Sequence, residues 1–223
     1  MKYRGFIFDL DGVLIDSSKI HYVGWRNVLH KFGRDLDYET FRSKYFGKRG
    51  QETLDMIFGN GKFSVAESKK ISDEVDSNFV SMVGEIGTPI RGALEFVRLL
   101  KDSGGKIALA TSAPRQNVDA FLDAFSLHGI FDAEVCGDDV SRGKPDPEAF
   151  LKAALELNED PGDCVVFEDS LPGVTAAKGA GTTCVALLTT ASREDLAAAD
   201  YFIEDFLDNQ MKTIIPLKNK VKV

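Results

Sequence analysis

Apolar residues recur with helical periodicity over residues 17–87. One stripe, His21, Trp25, Val28, Leu29 and Phe32, has the three- and four-residue spacing of a single helix face. The pattern predicts helices over 19–32, 38–45, 51–58 and 64–83. Ser64 and Glu67 have the spacing of a capping box at the start of the last of these helices. No strand pattern is evident in this stretch.

From residue 88 onward, predicted helices alternate with short apolar strands. The helices cover 91–101, 114–125, 146–157 and 173–179, and the strands cover 106–110, 133–136, 164–167, 183–188 and 201–203. Alternation of this kind is typical of a parallel sheet covered by helices on both faces. An apolar run over 5–8 predicts a further buried strand, which must join that sheet because a lone strand is not stable.

The predicted fold class is therefore α/β, with a Rossmann-like parallel sheet core and an inserted α-helical cap domain. The core comprises 1–16 and 88–223, and the cap comprises 17–87. Two hinge passages near Asp16 and Gly87 should join them. We expect 218–223 to form a frayed tail.

Composition narrows the possible partners. The 223 residues carry a formal net charge of −8, and nucleic-acid binding normally requires clustered basic residues.

No apolar run approaches the length of a membrane span, and no signal-peptide pattern is evident. The three cysteines lack metal-site or CxxC spacing and are predicted to be buried and reduced. We expect a cytoplasmic monomer without nucleic-acid or membrane partners.

The segment FIFDLDGV over 6–13 places two carboxylates, Asp9 and Asp11, at the end of a buried strand. Two like charges this close raise each other's pKa unless a cation lies between them. Gly12 allows the chain to turn at once, which would aim Asp11 back toward Asp9. A turn with two solvated aspartates would explain this segment by itself. The residues at the ends of the other predicted strands therefore have to show whether the two aspartates belong to a functional site.

Polar side chains also follow other predicted strands. Ligands of open parallel sheets bind at the carboxyl ends of the strands, where these side chains should converge. Asp9, Asp11, Glu168 and Asp169 form an oxygen-only set that suits Mg²⁺. Thr111 and Ser112, together with Lys144 before a helix, are suited to phosphoryl oxygens.

These motifs resemble those of the haloacid dehalogenase superfamily, in the subgroup with an inserted helical cap near β-phosphoglucomutase and the sugar phosphatases. The resemblance covers essentially the whole chain. Its motifs are DLDGV over 9–13, Thr111 or its neighbour Ser112, GKPDP over 143–147 and EDSLPG over 168–173.

The resemblance implies an aspartyl-phosphate mechanism. Asp9 would attack phosphorus, and Asp11 would act as general acid and then as general base. The Asp9 carboxylate, the Asp11 carbonyl and Asp169 would hold Mg²⁺, with Glu168 acting directly or through water. Phosphoryl oxygens would be bound by Thr111, Lys144 and the loop residues Ser112 and Ala113. Hydrolytic dehalogenases of the superfamily lack the second aspartate, so Asp11 favours phosphoester chemistry.

The predicted cap contributes candidates for substrate recognition. His21 matches a hinge histidine of the mutase and of several sugar phosphatases, although it could equally be a hinge residue without a catalytic role. The loop with Gly47, Lys48 and Arg49 falls where substrate contacts are expected, and Lys48-Arg49 could instead be a solvated charge pair. The mutase pattern has lysine and arginine where this chain has Phe46 and Gly50.

We therefore predict a Mg²⁺-dependent phosphatase of a small phosphorylated metabolite, most plausibly a sugar phosphate. The alternatives are a β-phosphoglucomutase-like phosphotransferase and, third, a non-catalytic module that binds a sugar phosphate or a protein.

Overall fold

The computed structural model describes residues 2–216. The predicted tail over 218–223 lies outside the described residues. Within 2–216, no helix is both long enough and apolar enough to cross a bilayer. Cys136, Cys164 and Cys184 are buried and free of disulfides, as their apolar surroundings predict.

The eight strands of the described residues are β1 Gly5–Phe8, β2 Ile15–Asp16, β3 Thr88–Pro89, β4 Lys106–Ala110, β5 Ala133–Val135, β6 Cys164–Glu168, β7 Thr183–Leu187 and β8 Tyr201–Ile203. Six of them are parallel and form the main sheet, in the order β5-β4-β1-β6-β7-β8. β1 lies between β4 and β6, with Phe8 in register with Leu109 and Phe167. The carboxyl ends of these three strands therefore meet at one edge, and the predicted α/β class is confirmed.

The helices agree with the predicted ones to within a few residues, except that the last, short helix was not predicted. They are α1 Ser18–Lys31, α2 Tyr38–Lys44, α3 Gly50–Phe58, α4 Val65–Ile86, α5 Ala93–Asp102, α6 Arg115–Phe125, α7 Glu148–Glu156, α8 Leu171–Gly179 and the short α9 Met211–Ile214. The predicted capping box forms at the start of α4, where Ser64 and Glu67 each accept a backbone N–H of the other. We call α1–α4 the helical block.

Both faces of the sheet are covered, which fixes the position of β1. Phe6 and Phe8 face a cluster that includes residues of α5 and α6, whereas Ile7 faces residues of α7 and α8. Phe8 stacks on Phe167 with ring centroids 4.6 Å apart. A strand packed on both faces holds the polar residues after it rigidly.

The helical block has an apolar cluster of its own, which contains Trp25, Leu29, Phe41 and Leu54. Trp25, a member of the apolar stripe predicted for the first helix of this block, is buried there.

A two-stranded antiparallel ribbon lies where the chain passes between the sheet and the helical block. Ile15 pairs with Pro89 and Asp16 pairs with Thr88. The sequence predicts passages near Asp16 and Gly87 but not their pairing, because two-residue strands are too short to show a period. At the start of α1, Asp16 accepts the backbone N–H of Ser18 at 3.0 Å, while the Ser17 hydroxyl donates to Asp11.

Candidate active site

The carboxyl ends of β1, β4 and β6 open into a cavity of about 550 Å³ beneath the helical block. Every predicted site residue lines it, from the core and from the helical block alike: Asp9, Asp11, His21, Gly47, Lys48, Arg49, Thr111, Ser112, Ala113, Lys144, Glu168 and Asp169. The structure therefore brings together residues far apart in sequence, whereas their individual roles stay predictions.

Asp9 is the first residue after β1, and its backbone N–H donates to the Phe167 carbonyl at 3.1 Å. This backbone bond fixes the carboxylate at the end of the central strand. Burial raises the pKa of Asp9 to about 7, although the neighbouring Lys144 ammonium acts in the opposite direction.

Lys144 lies almost fully buried between two carboxylates. Its Nζ donates to Asp9 Oδ1 at 2.8 Å, to Glu168 Oε1 at 2.6 Å and to the Ala110 carbonyl at 3.2 Å. Burial by itself would lower the pKa of Lys144, but the charges of Asp9 and Glu168 outweigh it and raise that pKa above its usual value. The lysine is therefore a fixed positive charge at the cavity floor.

Asp9, Glu168 and Asp169 form a buried acidic trio whose carboxylate oxygens lie within 4.8 Å of one another. Burial, followed by the charges of Glu168 and Asp9, raises the pKa of Asp169 well above its usual value. Lys144 contacts one oxygen of Glu168, and the N–H groups of Asp169 and Ser170 donate to the other at 2.8 and 2.9 Å. An all-oxygen donor set with excess negative charge fits a hard divalent cation.

Asp11 is turned toward α1 and is half-buried. Its Oδ1 accepts the Ser17 hydroxyl and lies 3.4 Å from His21 Nε2. Burial favours a raised pKa for Asp11, but the His21 charge and the hydrogen bonds from His21 and Ser17 bring it below its usual value. His21 therefore reaches Asp11. The contact of Ser17 with Asp11 was not predicted, because a serine just before a helix has the local pattern of a helix cap.

Gly12 allows the turn after β1 to pass close to Asp169. Its φ is +74°, and a Cβ at this position would overlap the Asp169 carboxylate. The loop after β7 supports the same turn, since Thr189 Oγ1 donates to the Gly12 carbonyl at 2.6 Å and the Thr190 hydroxyl donates to Asp169. Sequence reasoning missed both threonines, which carry no charge and belong to no motif that it used.

The loop after β4 forms another part of the cavity wall. Thr111 is buried, and its Oγ1 accepts the backbone N–H of Ala113 at 3.1 Å. Ser112 is exposed at the cavity. This places both hydroxyl-bearing residues beside the end of β1, where the predicted phosphate site lies.

The α2–α3 loop of the helical block lies over Lys144. Lys48 is exposed and pairs with Glu52 across one helical turn, with Nζ 2.7 Å from Oε1. The Arg49 guanidinium donates to the backbone carbonyl of Lys144. Lys48 thus forms a surface ion pair at the cavity mouth, and Arg49 contacts the core directly.

Comparisons with known proteins show which family and which solved structures this chain is similar to. The family model for haloacid dehalogenase-like hydrolases matches residues 3–181. The validoxylamine A 7′-phosphate phosphatase of Streptomyces hygroscopicus subsp. limoneus is 33% identical over 96% of this chain and 99% of its own. The phosphorylated carbohydrates phosphatase of Thermotoga maritima is 37% identical over 78% of this chain and 80% of its own. The crystal structure of β-phosphoglucomutase from Clostridium difficile superposes with a TM-score of 0.80 at 28% identity, covering 95% of both chains.

Proposed function

The chain belongs to the haloacid dehalogenase-like hydrolases, and on that premise we propose that it is a Mg²⁺-dependent phosphatase of a small phosphorylated sugar-like metabolite. It is a phosphoric monoester hydrolase by its similarity to named phosphatases of the family. The observation that carries the proposal is the position of Asp9, held at the end of the central strand with Lys144 Nζ 2.8 Å from its carboxylate. A buried anion beside a fixed cation is suited to attack on a phosphoryl group.

The reaction proceeds in two displacements. An oxygen of Asp9 forms a bond to phosphorus as the ester bond to the leaving alcohol breaks. Asp11, which the negative charge of the bound phosphate ester would keep protonated against the effect of His21, gives its proton to the leaving oxygen. Water then attacks the aspartyl-phosphate, Asp11 takes the water proton, and inorganic phosphate is released as the bond to Asp9 breaks. Lys144 and the Thr111 loop stabilise charge on the phosphoryl oxygens.

His21 supports the role of Asp11 through its contact with Oδ1. This interaction connects the proton carrier to α1, so the position of the helical block affects proton transfer. We propose that the helical block acts as a cap over the site, consistent with the expectation for 17–87.

The acidic trio would hold Mg²⁺ through the Asp9 and Asp169 carboxylates, together with the Asp11 carbonyl. Both oxygens of Glu168 already accept hydrogen bonds, which favours a contact of Glu168 with the ion through water. Bound Mg²⁺ would reduce the repulsion between anionic Asp9 and the anionic phosphoryl group.

Removal of the metal should abolish phosphate release, and added Mg²⁺ should restore it. Asp169→Asn should raise the Mg²⁺ concentration for half-maximal activity by at least about tenfold, because it removes one carboxylate from the trio. Titration of the chelated enzyme with Mg²⁺ measures this. Asp119→Asn, an exposed change on α6, is the control and should leave the titration unchanged. Activity that survives chelation would contradict the metal requirement.

The proposed activity is tested by phosphate release from a panel of phosphorylated metabolites. We expect Mg²⁺-dependent release from sugar phosphates such as glucose 6-phosphate. The second candidate is a phosphotransferase, favoured by the structural similarity to β-phosphoglucomutase. Conversion of β-glucose 1-phosphate with a bisphosphate primer and negligible phosphate release would support it instead. If neither reaction occurs under any of these conditions, the third alternative, a non-catalytic binding module, is favoured.

A further inference from the structure

Two acidic side chains of the helical block line the cavity, and only one of them has a basic partner. Glu52 pairs with Lys48. Asp76, on α4, has no lysine or arginine nitrogen within 4 Å among residues 2–216. A carboxylate without a cation is unfavourable in a cavity that receives a phosphate ester, because the two anions repel each other. Asp76 is therefore expected to contact a part of the substrate other than the phosphate.

Asn117 holds Asp76 in place from the opposite side of the boundary between core and helical block. Its side-chain Nδ2, on α6, donates to Asp76 Oδ1 at 3.1 Å. The residue is only 1% exposed, lines the same cavity, and its Oδ1 is buried without a hydrogen-bond partner. Such unsatisfied buried acceptors are uncommon in folded proteins. The pair thus contains more acceptor oxygens than its own donors satisfy.

The charged groups that act on Asp76 are His21, Asp11 and Asp73, together with Lys69 of the same helix. Two of these can carry positive charge, and both already lie against other carboxylates: Lys69 pairs with Asp73, and His21 Nε2 lies against Asp11. Asp11 and Asp73 add negative charge. This wall of the cavity is therefore acceptor-rich and short of cations, in contrast to the floor around Lys144.

The geometry points to a protonated amine on the leaving group as the partner of Asp76, with Asn117 as its positioning residue. An ammonium group has three donors and no acceptor, which matches the Asp76 carboxylate that Asn117 Nδ2 holds in place. With the phosphoryl group at Asp9 and the leaving oxygen at Asp11, the rest of the leaving group extends past His21 toward α4. The inference rests on the proposed phosphatase function and names its substrate class, phosphate monoesters of amino sugars or similar amine-bearing polyols.

The test compares kcat/KM for glucosamine 6-phosphate and glucose 6-phosphate. We expect the unmodified enzyme to prefer the amino sugar ester by at least about tenfold, the effect of one hydrogen-bonded charge pair. N-Acetylglucosamine 6-phosphate, which keeps the nitrogen without its charge, should behave no better than the glucose ester. Asp76→Asn should bring the ratio of kcat/KM for the two esters to about one, whatever its effect on the glucose ester itself.

Asp73→Asn is the matched control, because Asp73 lies one turn away on α4 and pairs with Lys69 at the surface, with Nζ 2.9 Å from its carboxylate. It should keep the preference. An enzyme without preference for the amine, or an Asp76→Asn variant in which both esters lose activity equally, would overturn the inference and assign Asp76 a structural role.

A binding measurement separates this inference from the proposed function. Dissociation constants for the same two esters are measured on Asp9→Asn and on Asp9→Asn with Asp76→Asn, where turnover plays no part. Tighter binding of the amino sugar ester that depends on Asp76 supports the inference even if no ester is hydrolysed. Equal constants for the two esters overturn it even if the enzyme is an active phosphatase.

Discussion

Asp9→Asn should lower kcat for phosphate release by at least about 10³-fold, because the amide cannot form the covalent bond to phosphorus. The folded state should persist, since asparagine has the shape of aspartate and removes one negative charge from a crowded buried trio. The Asp9 backbone bond to Phe167 does not involve the side chain, so β1 and its neighbours should keep their register.

Steady-state phosphate release from the best ester of the panel measures this effect, with thermal unfolding as the check on folding. Asp102→Asn, an exposed change at the end of α5, is the control and should keep full activity. Acid quenching during turnover of a phosphate-labelled ester should leave label on the unmodified protein and none on Asp9→Asn. A variant with more than about a tenth of the original kcat would exclude Asp9 as the nucleophile.

Lys144→Met should destabilise the metal-free protein by about 3–5 kcal/mol, the usual cost of removing one partner from a buried ion pair. The ammonium is the only basic group that contacts both Asp9 and Glu168 among residues 2–216. Its loss leaves two buried carboxylates facing each other, while methionine fills most of the volume. Activity should fall as well, because the phosphoryl oxygens lose their fixed positive charge.

Urea unfolding in the presence of EDTA measures the free energy of unfolding without contributions from bound metal. Lys178→Met is the matched control, since Lys178 also makes two short contacts to carboxylate oxygens, both on Asp200, but at the surface. Lys178→Met should lower the free energy of unfolding by at most about 1 kcal/mol. Equal decreases in the free energy of unfolding for the two variants would show that the buried ion pairs of Lys144 stabilise the protein no more than a surface ion pair does.

The sequence predicts the sheet and the cavity floor because both depend on strongly patterned segments. Asp9, Thr111 and Glu168 each come directly after an apolar run, and the carboxyl ends of parallel strands necessarily share one edge. The GKPDP motif predicts Lys144 as a site residue, and the structure places its Nζ between the Asp9 and Glu168 carboxylates.

The contacts across the boundary between core and helical block could not be predicted in the same way. Asn117 and Asp76 are 41 positions apart on separate helices, and only their packing brings them together. Local pattern allows either Ser17 or Asp16 to cap α1, and in the structure Asp16 accepts the Ser18 N–H while the Ser17 hydroxyl donates to Asp11. In both cases a tertiary contact decides between side-chain roles that local sequence leaves equivalent.

The contact between Arg49 and the Lys144 carbonyl has a consequence for the size of molecule that the enzyme accepts. It joins the helical block to the core beside a cavity of about 550 Å³, a volume suited to a single small molecule. A phosphoserine on the surface of a folded protein carries its own backbone and neighbours, which are too large for such a cavity. We therefore expect the enzyme to leave phosphorylated proteins intact because of their size, without any recognition of their sequence.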